Sequence, residues 1–457
     1  MPETTSTNLA TPTPIPSNKM QKANAFKIDE VIIASSNGKK FPLSDKWLMI
    51  QIHEDIFSNF ISGTIQIKDA RNLLKHAPII GQEQVYISWE TPGVGSGKIT
   101  KQFRIYKVSD KGVSGIGQVQ VYKLHFISNP AILNMKIKCN YALQDKTITR
   151  MIDDVFARHF PNSTLETKVS SDGNHTFILP MRTPVSCINW LCKRGINASI
   201  PGDSSFLFYE DLDGFKLNTI QNMMKSQVHT TYKYKLPNAR ETSTFKTLMQ
   251  DFTNLDGDAI HFQKTPDKLK EMQNGMYSSS LLLHDLTTKT YTASLYDYFE
   301  HFKSLHSEAH GERFPVLAEI KGDNLTKAHS TNIGYKPKSS ASVGPIDLEK
   351  FSESPFAFNN DLYEEWVQPS QSIHEQIQTQ ELVLSIAGDS SRRAGQMVGL
   401  IFPSPEPHGG KDADLDEFVS GSYLITSIRH SIGRLDYTME LELSRTHFPK
   451  QLPSGDI

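Results

Sequence analysis

The chain has 457 residues, of which 38% are hydrophobic and 21% charged, so it can bury several cores and has the length of about three domains. Lys and Arg total 48 against 50 Asp and Glu, a formal net charge of −2 with no dense basic run, which argues against a protein that grips nucleic acid through its phosphates. Three cysteines cannot form a disulfide framework, and no run approaches the roughly 18 apolar residues that span a bilayer; a soluble protein made in a reducing cytosol, with no membrane insertion, is expected.

Residues 1–24 carry Pro2, Pro12, Pro14 and Pro16 among Thr, Ser and Asn, and lack the apolar core of a signal peptide. They cannot bury enough apolar surface to offset the entropy of ordering. The segment is a Thr/Pro arm, either disordered or laid along a neighbouring subunit. From Phe26 the pattern changes. "FKIDEVIIAS", "WLMIQIHEDI" and "ISGTIQIKDA" alternate apolar and polar residues, most clearly at Ile61, Gly63, Ile65 and Ile67, the period of half-buried strands. A short helix or turn follows in "DARNLLKHAP", then a strand around Val85–Trp89 and two more in "KQFRIYKVSDKG" and "GQVQVYKLHFIS". Their close spacing predicts an antiparallel barrel or sandwich over residues 25–130.

Residues 131–235 form an α+β module. Ile148, Ile152, Val155 and Phe156 recur at helical spacing before Pro161, and Val185, Ile188, Trp190 and Leu191 do so before Gly195. "SSFLFYEDLDGFKLNTI" is a hairpin turning at Asp213-Gly214. Residues 236–357 are a mixed α/β section with loops, either separate from or part of a second barrel. In it "ETSTFKTLMQDFTNLDGD" predicts a helix, "GMYSSSLLLHDLTTKTYTASLYDYF" strands with an aromatic-rich end, and "TKAHSTNIGYKPKSSASVGPID" a loop. Residues 358–450 open with a helix interrupted at Pro369 and return to strands in "QELVLSIAG", "GQMVGLIFP", "GSYLITSIRHSIG" and "LDYTMELELSR"; residues 451–457 are a tail. The two strand-rich sections are candidates for two versions of one barrel.

Candidate chemistry is sparse. Gly388-Asp389-Ser390 ends an apolar run as a nucleophile motif does, but a hydrolase elbow leads into a helix, and here Gly395 and a second strand follow too soon. The expectation is a hairpin turn between paired strands, where Asp and Ser are common. His408 and His430 lie downstream with no triad spacing. "DADLDEF", from Asp412 to Phe418, has Glu417 and Tyr423 where a calcium loop needs Gly and Glu, so an acidic solvated loop is expected. Asp153-Asp154 and Glu364-Glu365 are adjacent on helices and diverge. "GVGSGK", residues 93–98, lacks the phosphate-loop ending and is a hairpin loop. Cys187 and Cys192, five apart on one helix, are core thiols, as is Cys139. The aromatics of "LYDYFEHF" fit a core or an interface better than a sugar platform. No catalytic, cofactor-binding or metal-ligating residue is assigned.

Three segments carry a resemblance. "SGTIQIKDARNLLKHAPIIGQEQVYISW", with Asp69, Pro78, Gly81 and Glu83, resembles the first tube-like barrel of the baseplate hub proteins of contractile-tailed bacteriophages. "RTPVSCINWLCKRGINASIPGDSSFLFYEDLDGFKLNTI" is similar to the hub module that follows it. "LVLSIAGDSSRRAGQMVGLIF" with "SGSYLITSIRHSIGRLDYTMELELSR" resembles the second barrel, with Gly388, Asp389, Gly395, Tyr423, His430 and Tyr437 at recurrent places. The likeness runs in order through most of residues 25–448. The arm, residues 262–350 and Pro369 depart from it.

The resemblance implies a β-rich α+β fold with two tube-like antiparallel β-barrel domains and α+β modules between them. It implies a structural virion protein in the tail baseplate, made in the host cytoplasm, with no enzymatic activity and no cofactor. Three copies would form a ring of six barrels joining a sixfold tail tube to a threefold central spike. The implied partners are the tail tube protein, the central spike protein, baseplate wedge proteins and the tape measure protein, with viral DNA passing through a neutral or acidic lumen. Two alternatives remain open: a cell-wall lysin on a hub-like scaffold, and the hub part of a bacterial contractile secretion spike.

Overall fold

The computed structural model describes residues 24–35, 38–44, 46–70, 73–76, 79–92, 97–113, 119–234, 251–252, 260–285, 290–305, 319–320, 323–324, 330–336, 363–402, 416 and 419–446. The N-terminal arm, Pro78 and most of "DADLDEF" lie outside these residues. Among them the fold is a β-rich α+β fold dominated by one sheet of 14 strands.

The sheet begins with seven strands: β1 (Lys27–Ala34), β2 (Lys40–Pro42), β3 (Trp47–Asp55), β4 (Ser62–Asp69), β5 (Gln84–Glu90), β6 (Ile99–Val113) and β7 (Gln120–Ser128). Alternation decides which face is buried: Gly63, Ile65, Ile67 and Asp69 of β4 point inward while their neighbours face out. A four-residue helix, α1 (Leu73–His76), separates β4 from β5, as "DARNLLKHAP" predicts. The strands lie in the order β3-β4-β7-β6-β5-β1-β2, each pair antiparallel.

Residues 129–224 follow as a module of small sheets and helices. Helices α2 (Asn129–Lys136), α3 (Ile148–His159), α4 (Pro184–Cys192) and α5 (Ile220–Met224) alternate with β8 (Ala142–Lys146), β9 (Leu165–Thr167), β10 (His175–Ile178), β11 (Phe206–Asp211) and β12 (Gly214–Thr219). The predicted hairpin is present: β11 and β12 pair antiparallel up to Asp211 and Gly214. Ile148, Ile152, Val155 and Phe156 of α3 pack with Val185, Ile188 and Leu191 of α4 in one buried cluster that also holds Cys139, Cys187 and Cys192. Each fully buried Ile or Leu contributes roughly 1.5–3 kcal/mol.

The chain then returns to the large sheet through β13 (Val228–Tyr234), β14 (Asp251–Phe252) and β15 (Ile260–Lys264). Of the helix expected over "ETSTFKTLMQDFTNLDGD" only Asp251–Phe252 lie within the described residues, and they form a strand paired with β13. Helix α6 (Lys268–Gln273) leads to β16 (Ser278–Asp285) and β17 (Thr290–Asp297), and the aromatic-rich end forms helix α7 (Tyr298–Leu305). Two short strands, β18 (Glu319–Ile320) and β19 (Asp323–Asn324), pair with each other. The polar stretch expected to be a loop contains β20 (Ser330–Lys336), held parallel to β16. Helix α8 (Tyr363–Ile377) runs through Pro369 without interruption. Its contacts offset the roughly 3 kcal/mol that an internal proline costs: Gln368 donates to Ser279 O at 2.8 Å and Ser372 to Met276 O at 2.6 Å.

The last four strands, β21 (Gln380–Ala387), β22 (Met397–Ile401), β23 (Gly421–Ile432) and β24 (Tyr437–Arg445), complete a second unit in the order β15-β21-β24-β23-β22. Every pair in it is antiparallel. This is the order of β3-β4-β7-β6-β5, strand for strand. The register repeats as well. In the fourth strand, Arg104 is the last residue to face the third strand, at Gln84, and Leu424 is the last in the second unit, at Met397. A bulge follows at once in both, between Ile105 and Lys107 and between Ile425 and Ser427. The Ile105 N–H then donates to Glu83 O, and the Ile425 N–H to Gln396 O, each at 2.9 Å. The units differ in their first connection: residues 56–61 in one and residues 265–379 in the other.

Candidate functional site: a strand joint inside the chain

The two units meet edge to edge. Past its bulge, β23 leaves β22 and pairs with β3, from Ser427 opposite Asp55 to Ile432 opposite Ile50. Ile50, Ile52, Ile428 and Ile432 are fully buried there, and the apolar cores of both units form a single cluster across the joint. Period two also places Glu54 in phase with Ile50 and Ile52, and His430 in phase with Ile428 and Ile432. Both are completely buried and they meet: His430 Nε2 lies 2.9 Å from Glu54 Oε1, and its Nδ1 lies 2.7 Å from the Tyr437 hydroxyl. Burial, then the charges of Asp389 and Glu54, push the Tyr437 phenol upward and keep it neutral.

Residues 388–396 cross over this joint. They connect β21 to β22, which are separated in the sheet by β24 and β23, so the segment is a buried crossover and not the hairpin turn expected from the sequence. Isolated periodicity identifies two strands but not whether they are neighbours. Ser390 and Thr91, which follows β5, clasp each other: the Thr91 N–H donates to Ser390 Oγ at 3.2 Å and the Ser390 N–H donates to Thr91 Oγ1 at 3.1 Å. Asp389 accepts from the Ser391 N–H at 2.8 Å and from Arg392 Nε at 2.9 Å, and Arg392 donates onward to His229 Nδ1 of β13 at 2.6 Å. The Ala394 N–H reaches Glu54 Oε2 at 3.4 Å.

Arg393 spans the module and the crossover, donating to Asp213 at 2.8 Å and to the carbonyls of Ser390 and Arg392, each at 2.7 Å. Burial works against its charge, but the bond to Asp213 and the fields of Glu54 and Asp211 outweigh it and hold the pKa above the ordinary value. Glycine at 388 is required by space, because a β-carbon would overlap the Tyr437 ring; Gly395 is required by its φ of +85°.

This arrangement fastens the two units to each other and to the crossover. Ser390, His430 and Glu54 bring together the residue types of a hydrolase triad. Yet both His430 nitrogens are engaged away from Ser390, Ser390 Oγ accepts from a backbone N–H, and all three residues are sealed from solvent. The other residues singled out by sequence serve local structure. Asp69 accepts from the Leu73 N–H at 2.5 Å, Glu83 gathers the N–H groups of Ile80, Gly81 and Gln82 at 2.9–3.0 Å, and Tyr423 donates to Val419 O at 2.6 Å. Asp153 accepts from Thr167 while Asp154 pairs with Lys146, so the adjacent carboxylates diverge as expected.

No family model matches the chain, and no curated protein matches it by sequence. Solved structures do. A tail protein from Neisseria meningitidis MC58 superposes with a TM-score of 0.51 at 12% identity, covering 92% of this chain and 99% of its own. The 43 kDa tail protein of prophage MuSo2 from Shewanella oneidensis gives 0.50 at 11% identity, covering 91% and 98%. The fold is that of a phage tail protein. Both tail proteins match nearly end to end. At this identity the likeness concerns the chain path and not particular side chains.

Glu54 and Thr91 received no role from sequence reasoning, and His430 only a recurrent place. The signal was present for two of them: Glu54 and His430 each occupy an apolar phase of a strand, where a charge or imidazole needs a buried partner. Nothing local connects Thr91 to Ser390, 299 positions away.

Proposed function

We propose that the chain is a structural baseplate hub of a phage tail. Three copies form a ring of six related units that joins a sixfold tail tube to a threefold central spike, and the ring encloses part of the channel through which DNA leaves. The observation that carries this reading is the repeated five-strand order, with the same register and the same bulge, joined edge to edge within one polypeptide. Duplication inside the chain is the economical way for a threefold object to offer six equivalent surfaces. The two domains are read as tube-like barrels, the first from residues 25–130 and the second completed by residues 358–450. Their partners are the tail tube and spike proteins, with wedge and tape measure proteins at the periphery. The tail reading stands ahead of a secretion spike because the structures matched at TM-scores of 0.51 and 0.50 are both tail proteins.

The protein has no enzymatic role in this reading, and the sealed Ser390 argues against the lysin alternative. The test is the mass of the purified assembly, by light scattering, alone and with the cognate spike and tube proteins. Three times the 51.4 kDa of the chain is expected. A species that remains monomeric at high concentration with both partners present overturns the hub.

A further inference from the structure

The joint between β23 and β3 has a counterpart that the single chain leaves open. Strand for strand, β6 corresponds to β23 and β15 to β3. Ser109 faces Lys123 of the fifth strand as Arg429 faces Glu440, and Val113 faces Gln120 as Ile432 faces Tyr437. On the other side, Ile260 faces Leu384 and Lys264 faces Glu381, as Ile50 faces Ile65 and His53 faces Ser62. Beyond Arg104, β6 has no ladder partner on its outer edge among the described residues, and β15 pairs with β21 alone. One chain thus carries both halves of a joint it has already made once, on edges that belong to different units and cannot meet each other where the first joint is formed.

From this duplication we infer that the outer edge of β15 in one copy pairs antiparallel with Lys107–Val113 of β6 in a second copy, in the register of the internal joint. Each open strand carries one residue more than its counterpart, at a bulge between Ser109 and Gly112 of β6 and between Phe262 and Lys264 of β15, so Ser109 lies opposite Lys264 and Gly112 opposite His261, as Arg429 lies opposite His53 and Ser431 opposite Gln51. This deepens the hub reading and rests on it.

Exposure supports the pairing. At the closed joint Ile52 and Ile428 are fully buried and the bulge residue Thr426 is 3% exposed. At the open edges Phe262, the counterpart of Ile52, is 40% exposed, and Tyr106, the counterpart of Thr426, is 49% exposed. Bare edges of this kind template association unless something covers them. Here the two edges differ, so the contact is head-to-tail, the kind that makes a ring when its rotation closes, and not a simple twofold pair.

The test uses the full chain. The Ile56 N–H donates to Thr426 O at 3.0 Å, so by alternation Arg429 and His53 form a non-hydrogen-bonded pair, the closer kind and suited to a disulfide. The corresponding intermolecular pair is Ser109→Cys with Lys264→Cys. The native Cys139, Cys187 and Cys192 are buried and do not compete. Mild oxidation of the assembled double variant should yield covalently linked copies on a denaturing gel. Each single variant should yield none, and the His53→Cys, Arg429→Cys control should close within one chain. Phe262→Asp should raise the concentration needed for assembly at least tenfold while leaving the monomer's thermal midpoint within error.

A trimer that forms no link while the control closes overturns the pairing and leaves the hub intact. So does a Phe262→Asp variant that assembles like the parent. A chain that stays monomeric with its tube and spike partners overturns both.

Discussion

Glu54 and His430 show what a strand pattern says about a single position. Each stands where the alternation calls for an apolar side chain; the two bond each other, His430 also bonds Tyr437, and Glu54 also accepts from the Ala394 N–H. The sequence marks them as anomalies but cannot pair them, because their partners lie in another unit. Glu210 of β11 is a similar case with a measurable consequence. Burial pushes its carboxyl up to about 7, and that of Asp211, by burial and then by the nearby Glu54, to about 6. An unfolded carboxylate titrates near 4, so the folded chain keeps the proton on Glu210 to higher pH than the unfolded chain does. The stability this contributes is complete below about pH 4 and is lost as pH rises through about 7. Glu210→Gln can still accept from the Ile61 N–H, which donates to Glu210 at 3.1 Å, and it no longer ionises. Urea midpoints measured from pH 4.5 to 8 should therefore fall less in this variant than in the parent.

Among elements, period-two strands and the helices α3 and α4 were legible because their apolar faces are continuous. The failures share a cause, which is long-range pairing. β20 is polar and becomes a strand only because β16 lies beside it. Helix α8 survives Pro369 because Gln368 and Ser372 are held by the sheet. The Gly388–Gln396 connection, expected as a turn between neighbouring strands, is a buried crossover. Its burial makes a strong demand on one residue: Gly388→Ala must displace the Tyr437 ring, and with it the bond to His430. Overpacking of a filled interior typically costs about 1–3 kcal/mol. Chemical denaturation of this variant should show a loss at the upper end of that range, and a loss below about 0.5 kcal/mol would mean that the ring has room to move.

For the whole molecule, the recurrence of strand-rich ends was visible in the sequence, but the equivalence of the two units was not. Its evidence is register and bulge position, and the first strand of the second unit lies in the section that was hardest to read. Charge, in contrast, is a property of the whole sequence and needs no fold. With a formal charge of −2 and no basic run, the protein should offer DNA few phosphate contacts, as the proposed channel requires. Gel-shift assays at about 0.15 M salt should show no retardation of duplex DNA by micromolar protein. Retardation that weakens steeply with added salt would instead reveal a clustered basic surface.

The pairing of β3 with β23 also dictates a timetable. Glu54 and His430 are 376 positions apart, so the ribosome finishes the first unit long before the strand that shields its rim exists. At about 5–20 residues per second that interval is tens of seconds. During it a nascent chain with an uncapped β3 is open to mispairing with chains made alongside it.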